Sequence, residues 1–361
     1  MAGGLISGHH AFHPLKQVQI KVGGHFMSKA IRWGVLSTAK IGREKFIPGL
    51  QRSKTGEVTA IASRNLETAQ ATAHQLGIEK AYGSYEDLLA DPDIDAVYNP
   101  LPNHLHVPLT LQAVEAGKHV LCEKPIALDA AEARQLLDLP KDKLVAEGFM
   151  VRAHPQWVRA REIVRSGQLG EVKVIQGFFS YFNANPANIR NNAEIGGGAL
   201  LDIGCYPMVA GRYFFEREPV RVLSLIERDT AFGTDTLTSA LLDFGQGCRL
   251  EFSVSTQLVP YQRLNLFGTK GRLEMVVPFN APQGAETLLK VDTGAELGDR
   301  SAETEVIASA DQYAELADKF GRAVLGEEPL AYGPEDAVQN MKILDALFAS
   351  EKREGWVRLI D

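Results

Sequence analysis

The sequence predicts an α/β fold in two units. Residues 29–150 read as a parallel sheet wrapped by helices, and residues 151–361 as an α+β unit on a large, mostly antiparallel open sheet. Three observations carry this. Short apolar runs alternate with helical segments from Ile31 to about Met150, the rhythm of βαβ units. Beyond that point the rhythm gives way to longer runs with period-two alternation. The chain then closes on two helical segments, Asp311 to Leu325 and Pro334 to Ala349, the last able to pack back on the first unit.

Taken in order, Ile31 to Leu36 is an apolar strand followed by a helix through about Leu50. Glu57 to Ser63 is a second strand. Asn65 to Leu76 is an alanine-rich helix with Asn65 as N-cap, and Ser84 caps a short acidic-start helix to Ala90. Asp95 to Asn99 is a strand, Leu105 to Ala116 a helix closed by Gly117, Val120 to Glu123 a strand, Asp129 to Leu137 a helix and Leu144 to Phe149 a strand. Trp157 to Val164 is an amphipathic helix with Trp157 in the core, and Glu171 to Phe182 alternates as a strand. A helix runs from about Ala199 to Phe215. Val220 to Glu227, Asp235 to Phe244, Cys248 to Gln257, Arg263 to Phe267 and Arg272 to Val277 then form strands, with Cys248, Leu250, Phe252 and Val254 sharing a face. Pro334 sits at the first turn of the last helix, where its missing N–H costs nothing.

A net charge of −7, with both signs spread along the chain, excludes nonspecific nucleic-acid binding, which needs a basic surface. No apolar run approaches the ~20 residues that span a bilayer, so no membrane partner is expected. Cys122, Cys205 and Cys248 are far apart and odd in number, which argues for a reducing, cytoplasmic setting. Residues 1–28 are expected to be a disordered tail. They lack the charged n-region of a signal peptide, and His9, His10 and His13 would bind metal only adventitiously. Met27 offers an alternative translation start, the preceding residues then being an upstream extension or a vector remnant.

Chemistry concentrates in four places. The first strand–helix turn is Ser37-Thr38-Ala39-Lys40-Ile41-Gly42. Against G-x-G-x-x-G, Ser37 and Ala39 replace the first two glycines, but small residues still admit a pyrophosphate at a helix N-terminus. The second strand ends in Ser63-Arg64, with no acidic residue to hold a ribose 2′-hydroxyl. Ser63 offers a hydroxyl and Arg64 a guanidinium that grips a 2′-phosphate, so NADP(H) is preferred, with NAD(H) possible. The bland alternatives are a plain strand–helix turn and a solvated arginine. Third, Glu123-Lys124-Pro125 follows the apolar run Lys118 to Cys122. A lysine at a strand end, locked by proline, is explained better by a cofactor or substrate than by packing. Fourth, Gly196-Gly197-Gly198 leaves room for a ligand before Asp202 and Tyr206, which at a spacing of four share a helix face. Carboxylate, phenol and ammonium make a proton-transfer set, the ammonium bringing the phenol from its reference pKa of ~10 toward working pH. Alternatively, Asp202 is a structural partner and Tyr206 a half-buried helix residue.

These segments, with Phe149-Met150-Val151-Arg152-Ala153-His154-Pro155-Gln156, occur in an order that resembles the glucose–fructose oxidoreductase / inositol dehydrogenase / rhizopine-catabolism (Gfo/Idh/MocA) family over essentially all of residues 30–361. Tyr206 stands where inositol dehydrogenases carry histidine. This resembles the branch with glucose–fructose oxidoreductase, dimeric dihydrodiol dehydrogenase and NADP-dependent xylose dehydrogenase. The resemblance implies an N-terminal Rossmann dinucleotide-binding domain and a C-terminal sheet through which copies pair as a homodimer or higher oligomer. It implies hydride transfer between nicotinamide and a sugar, polyol or vicinal diol, without a metal. In that reading Tyr206 is the general acid/base, Lys124 orients substrate and nicotinamide and lowers the tyrosine pKa, and Asp202 binds substrate or fixes Lys124. Glu123 and the loop with Asn99, Pro100, Leu101, Asn103 and His104 would line the nicotinamide-ribose side, Asn103 also capping a helix. Arg152 and His154 would contact sugar hydroxyls, with Arg190 and Asn191 as further candidates. Ser37 and Ala39 depart from the family's usual glycines.

Two other readings share the sequence. One is NAD-assisted lyase or glycosidase chemistry. The other is a non-catalytic nucleotide sensor, which has no need of an acid/base set. His104 and His106 lack a completing cysteine or carboxylate for a metal, and Cys122 and Cys205 read as small core residues.

Overall fold

The structure, a computed structural model, describes Met1 and residues 30–359; the tail expected at residues 1–28 lies outside the described residues, Met1 apart. The first unit holds β1 (Ile31–Leu36), a π-helical turn (Gly42–Phe46) running into α1 (Ile47–Leu50), β2 (Gly56–Ala62), α2 (Leu66–Leu76), β3 (Lys80–Tyr82), α3 (Tyr85–Ala90), β4 (Ala96–Asn99), α4 (His106–Glu115), β5 (His119–Cys122), α5 (Ala130–Arg134) and β6 (Val145–Glu147). Its six strands are all parallel, in the order β3-β2-β1-β4-β5-β6. The order reverses between β1 and β4. In such sheets ligands sit beyond the strand ends at that reversal.

The helices start where side chains satisfy their free amides. Asn65 Oδ1 accepts from Thr68 N at 2.8 Å, Ser84 Oγ from Asp87 N at 3.0 Å, and Asp129 Oδ1 from Glu132 N at 2.8 Å. Strands β1, β4 and β5 are almost wholly buried, as expected with helices on both faces.

The second unit begins with α6 (Pro155–Arg165) and β7 (Val172–Phe182). A π-helical turn (Leu200–Gly204) leads into α7 (Cys205–Phe215), followed by β8 (Arg221–Arg228), β9 (Asp235–Asp243), β10 (Arg249–Ser255), β11 (Gln257–Gly268), β12 (Arg272–Met275), β13 (Thr287–Asp292) and β14 (Ala302–Ile307). Helices α8 (Gln312–Val324) and α9 (Pro334–Arg353) and the short β15 (Val357–Arg358) complete it. The nine strands run β14-β13-β12-β11-β7-β10-β9-β8-β15, antiparallel except where β10 lies parallel to β7. Leu250, Phe252 and Val254 of β10 are buried on the helix-covered face together with Cys248. Trp157 is fully buried and donates from Nε1 to Pro278 O at 2.7 Å.

Both closing helices return to the first unit. Asp318 of α8 accepts from Ser53 Oγ at 2.6 Å and Lys54 N at 2.7 Å, and Phe320 packs on Trp33. On α9, Asp345 accepts from Ala130 N at 2.9 Å, and Asn340 donates to Glu147 Oε2 at 2.7 Å. These contacts fix the cleft between the two sheets. Among the described residues no helix is long and apolar enough to cross a membrane, and the three cysteines are buried thiols.

Candidate active site

The end of β5 delivers Glu123 and Lys124 to the cleft. Glu123 N donates to Asn99 O at 3.0 Å, so the loops after β4 and β5 run together. Tyr98 Oη donates to Glu123 Oε1 at 2.6 Å, and Ile126 N to Glu147 Oε1 at 2.9 Å. His106, buried on α4, spans the two loops, its Nε2 2.6 Å from Leu101 O and its Nδ1 2.7 Å from Pro125 O. Burial holds its pKa down to about 4 although both carbonyls favour the cation.

From the second unit, the π-turn before α7 brings Asp202 and Tyr206 to the same place. Lys124 Nζ donates to Asp202 O at 2.5 Å and lies 3.5 Å from its Oδ1 and 4.9 Å from the centre of the Tyr206 ring. Asp202 Oδ2 accepts from Tyr181 Oη at 2.5 Å and Arg190 Nε at 2.9 Å. Burial opposes the Asp202 charge, but Lys124 and Arg190 outweigh it and hold its pKa near about 2. Its contribution to stability is therefore complete above the unfolded carboxylate range near ~3.9 and fades as pH falls through about 2. Burial likewise works against the Lys124 charge, and Asp202, Cys205 and Glu123 more than restore it, leaving its pKa above the ordinary value.

Tyr206 behaves differently from the sequence expectation. Its ring is buried among Phe149, Phe179 and Phe279, and its hydroxyl donates to Met150 Sδ at 3.5 Å. Burial, reinforced by Cys205, Glu123 and Asp202, pushes the phenol pKa well above 10. The expected lowering by Lys124 is not seen, because the ammonium sits over the ring and hydrogen-bonds Asp202 instead of the hydroxyl.

Lys124, Asp202 and Tyr206 line a cavity of about 530 Å³ with Glu123, Pro100, Leu101, Asn103 and Ile41. Asn103 reaches across to donate to Gly196 O at 2.8 Å. Tyr181 also lines it and went unnoticed in the sequence, where it reads as one more residue of an alternating strand.

The other sequence candidates divide. Asn99 is buried and shapes its own loop, donating to His106 O and accepting from Leu101 N. His104 is partly buried outside the cavity. Arg152 lies outside the cavity, pairing with Asp336 of α9 at 2.5 Å and stacking on Tyr332 at 4.0 Å. His154 caps α6 through Nδ1, which accepts from Gln156 N at 3.1 Å, one residue before the helix-starting Pro155. Neither Arg152 nor His154 reaches the cavity, so neither is placed to touch a substrate there.

Ser37, Thr38, Ala39, Lys40, Ser63 and Arg64 stand beyond the ends of β1 and β2, outside the cavity whose edge is marked by Ile41. Ser37 has φ 108°, a conformation that side chains rarely adopt and that the first glycine of the fingerprint would supply freely. Its Oγ accepts from Ala39 N at 3.2 Å. The turn thus keeps the bend without the glycine. Gly42 needs no such freedom; a Cβ there would meet only ordinary contacts at 3.7 Å. Arg64 is exposed and has no carboxylate partner among the described residues. A small-residue bend beside the β1/β4 reversal, an unpaired guanidinium at the end of β2 and an adjoining cavity fit a phosphorylated dinucleotide.

The glycine run serves the protein's own backbone more than a ligand. A Cβ at Gly197 would lie 2.6 Å from the carbonyl oxygens of Arg190 and Asn192. One at Gly198, whose φ is 122°, would lie 1.9 Å from Asp235 Oδ1, a buried carboxylate already held by Leu200 N at 2.6 Å. Gly198→Ala is expected to cost about 2–4 kcal/mol in denaturant unfolding through clash and strain. An unchanged midpoint would mean that the loop relaxes freely.

Comparison with known proteins agrees with this architecture. Residues 31–149 match "Oxidoreductase family, NAD-binding Rossmann fold", and residues 157–274 match "GFO/IDH/MocA C-terminal domain". An uncharacterized oxidoreductase of Rhizobium meliloti is 45% identical over 90% of this chain and 98% of its own length. A D-xylose 1-dehydrogenase (NADP(+)) of Haloferax volcanii is 38% identical over 91% of this chain and 99% of its own. The crystal structure of a 3-ketoreductase from Actinomadura kijaniata, in complex with NADP and TDP-benzene, superimposes with a TM-score of 0.82 at 31% identity. It covers 89% of this chain and 98% of that one.

Proposed function

Because the chain belongs to the Gfo/Idh/MocA family of NAD(P)-dependent oxidoreductases, we propose that it interconverts a hydroxyl and a carbonyl on a sugar, polyol or related vicinal diol, using NADP(H) in preference to NAD(H). A bound nicotinamide gives or takes the hydride. The chain's own part is placement and proton transfer. The observation that supports this is the meeting of Lys124, from the parallel sheet, with Asp202 and Tyr206, from the second unit, in one cavity.

In this reading Tyr206 Oη leaves Met150 Sδ and donates to the substrate oxygen. Lys124 Nζ donates to the same oxygen and stabilises negative charge as it develops. Asp202 holds the ammonium in place, and Tyr181 and Arg190 hold Asp202. A phenol kept neutral by burial is an acid at working pH, which suits carbonyl reduction. Incubating the protein with NADP+ or NADPH and a panel of aldoses, polyols, diols and ketones, while following nicotinamide absorbance, tests it. Tight nucleotide binding with no absorbance change for any of them would refute it.

NADP selection is assigned to Arg64, with Ser63 beside it. Arg64→Ala is expected to reduce the ratio of kcat/KM for NADP over NAD by roughly 10–100-fold, the worth of a charge-assisted contact. An unchanged ratio removes the assignment.

The protein is proposed to be cytoplasmic and a homodimer or higher homo-oligomer through the open face of the nine-stranded sheet. That face exposes Leu225 at 71% and Val259 at 77%, beside Tyr261. Apolar side chains on such a face favour burial against a second copy. Sedimentation is expected to show a dimer that Leu225→Lys with Val259→Lys converts to monomer; a monomeric parent protein would end the proposal.

A further inference from the structure

The polar groups of the cavity are unevenly spent. Each of its carboxylate oxygens already faces a donor. Asp202 Oδ1 faces Lys124 Nζ, and Oδ2 takes both Tyr181 Oη and Arg190 Nε. Glu123 is occupied by Tyr98 Oη and the Lys124 backbone N–H. Its donors are not used up. Arg190 commits only Nε, and neither Nη group has a partner among the described residues. Asn183 and Asn188 turn their carbonyl oxygens into their own loop, accepting from Asn185 N at 3.1 Å and Arg190 N at 3.0 Å. Those bonds fix the orientation of both amides, so their NH2 groups are left over. All three side chains line the cavity.

The arrangement is also anchored. Arg190 O accepts from Gly198 N at 2.9 Å, and the bare Cα of Gly197 packs against the same carbonyl. The arginine is thereby tied by its backbone to the turn that carries Asp202, while its side chain remains 43% exposed. A neutral hydroxyl offers one oxygen to that guanidinium and leaves the fork half matched. An oxyanion only accepts, and a guanidinium fork matches it.

We propose that the cavity takes a sugar bearing an anionic oxygen group, a carboxylate or a phosphate, and that Arg190 is the specificity-determining residue that reads it through its two Nη groups. The inference rests on the sugar-oxidoreductase reading and narrows its substrate class. Asn183 and Asn188 add neutral donors at the same end of the cavity. Asp202 stays ionised and keeps the guanidinium turned inward.

The test is calorimetric binding to the full chain saturated with NADPH. D-gluconate supplies the carboxylate, D-glucitol 6-phosphate the phosphate and D-glucitol the neutral counterpart. None carries an aldehyde or a ketone, so the reduced cofactor causes no turnover. At least one anion is expected to bind roughly 10-fold or more tightly than D-glucitol, and the tighter of the two identifies the anionic group. Arg190→Gln is expected to shrink the gap to about 2-fold and Arg190→Lys to leave it intermediate, because a point charge lacks the fork. Should Arg190→Gln not fold, raised ionic strength serves on the parent protein, weakening anion binding and leaving D-glucitol binding unchanged. The proposal is overturned if D-glucitol binds as well as both anions, if the gap survives in Arg190→Gln, or if no anion binds a protein that holds NADPH. Failure to hold NADPH would overturn the dehydrogenase reading itself, and this inference with it.

Discussion

Lys124→Ala is expected to lower kcat by roughly 10²–10⁴-fold, the usual worth of a positioned proton-handling group. The ammonium reaches the main-chain oxygen of Asp202 at 2.5 Å and stands over the Tyr206 ring, and among the described residues no other lysine lines the cavity to replace it. Its pKa lies above the ordinary lysine value, so it carries full charge throughout the working range and acts as a donor, never as a base. The substitution leaves Asp202 with Tyr181 and Arg190, so the protein is expected to lose only about 1–3 kcal/mol of stability. NADPH affinity measured by fluorescence is expected to change little, since the bend at Ser37 and the guanidinium of Arg64 lie elsewhere. Lys124→Arg is expected not to restore turnover, because a guanidinium cannot place one N–H where the ammonium does. Near-normal kcat in Lys124→Ala would remove the lysine from the chemistry. Loss of NADPH binding alone would recast it as a cofactor contact.

Much of this architecture is written in local patterns. The parallel unit was legible because β1, β2, β4 and β5 are apolar runs set between helical segments, and Asn65 and Ser84 cap as their sequence positions indicate. The missed strands lack such patterns. β3 is the three-residue Lys80–Tyr82 and β15 the two-residue Val357–Arg358, β14, Ala302–Ile307, is an edge strand whose outer face carries Glu303 and Glu305, and β13, Thr287–Asp292, is a short run with a lysine in its middle. Nor did periodicity reveal that β10 pairs parallel to β7, since the alternation of a strand is the same in either direction. In the site, Lys124 stood out because a lysine at a strand end fits poorly as packing, and Asp202 and Tyr206 because they follow the glycine run at a spacing of four. Tyr181 did not, because its meeting with Asp202 depends on how α7 folds back over β7. The roles of Arg152 and His154 were misread from their place at the domain junction. A histidine before Pro155 was itself an N-cap signal, whereas the pairing of Arg152 with Asp336, 184 positions later, left no local trace.

Tyr206→Phe is expected to separate chemistry from folding more cleanly than any other change in the cleft. Among the described residues the hydroxyl's one hydrogen bond is the 3.5 Å contact to Met150 Sδ, and sulfur is a weak acceptor. Phenylalanine keeps the ring and its contacts with Phe149, Phe179 and Phe279, so unfolding is expected to shift by less than about 1 kcal/mol. The reaction loses its proton donor, and kcat for carbonyl reduction is expected to fall roughly 10²–10⁴-fold with little change in KM. The pH dependence follows with its sign. The phenol lies well above 10 and Lys124 above its ordinary value, both protonated through neutral pH, while Asp202 near about 2 is ionised there. Reduction by the parent enzyme is therefore expected to be flat from weakly acidic to moderately alkaline pH. It should fall only when alkali removes a proton from the phenol or the ammonium. A limb near neutrality in kcat/KM that persists in Tyr206→Phe would point to a different acid, and Glu147, whose burial behind the loop after β5 pushes its pKa up to about 7, would be the first group to replace.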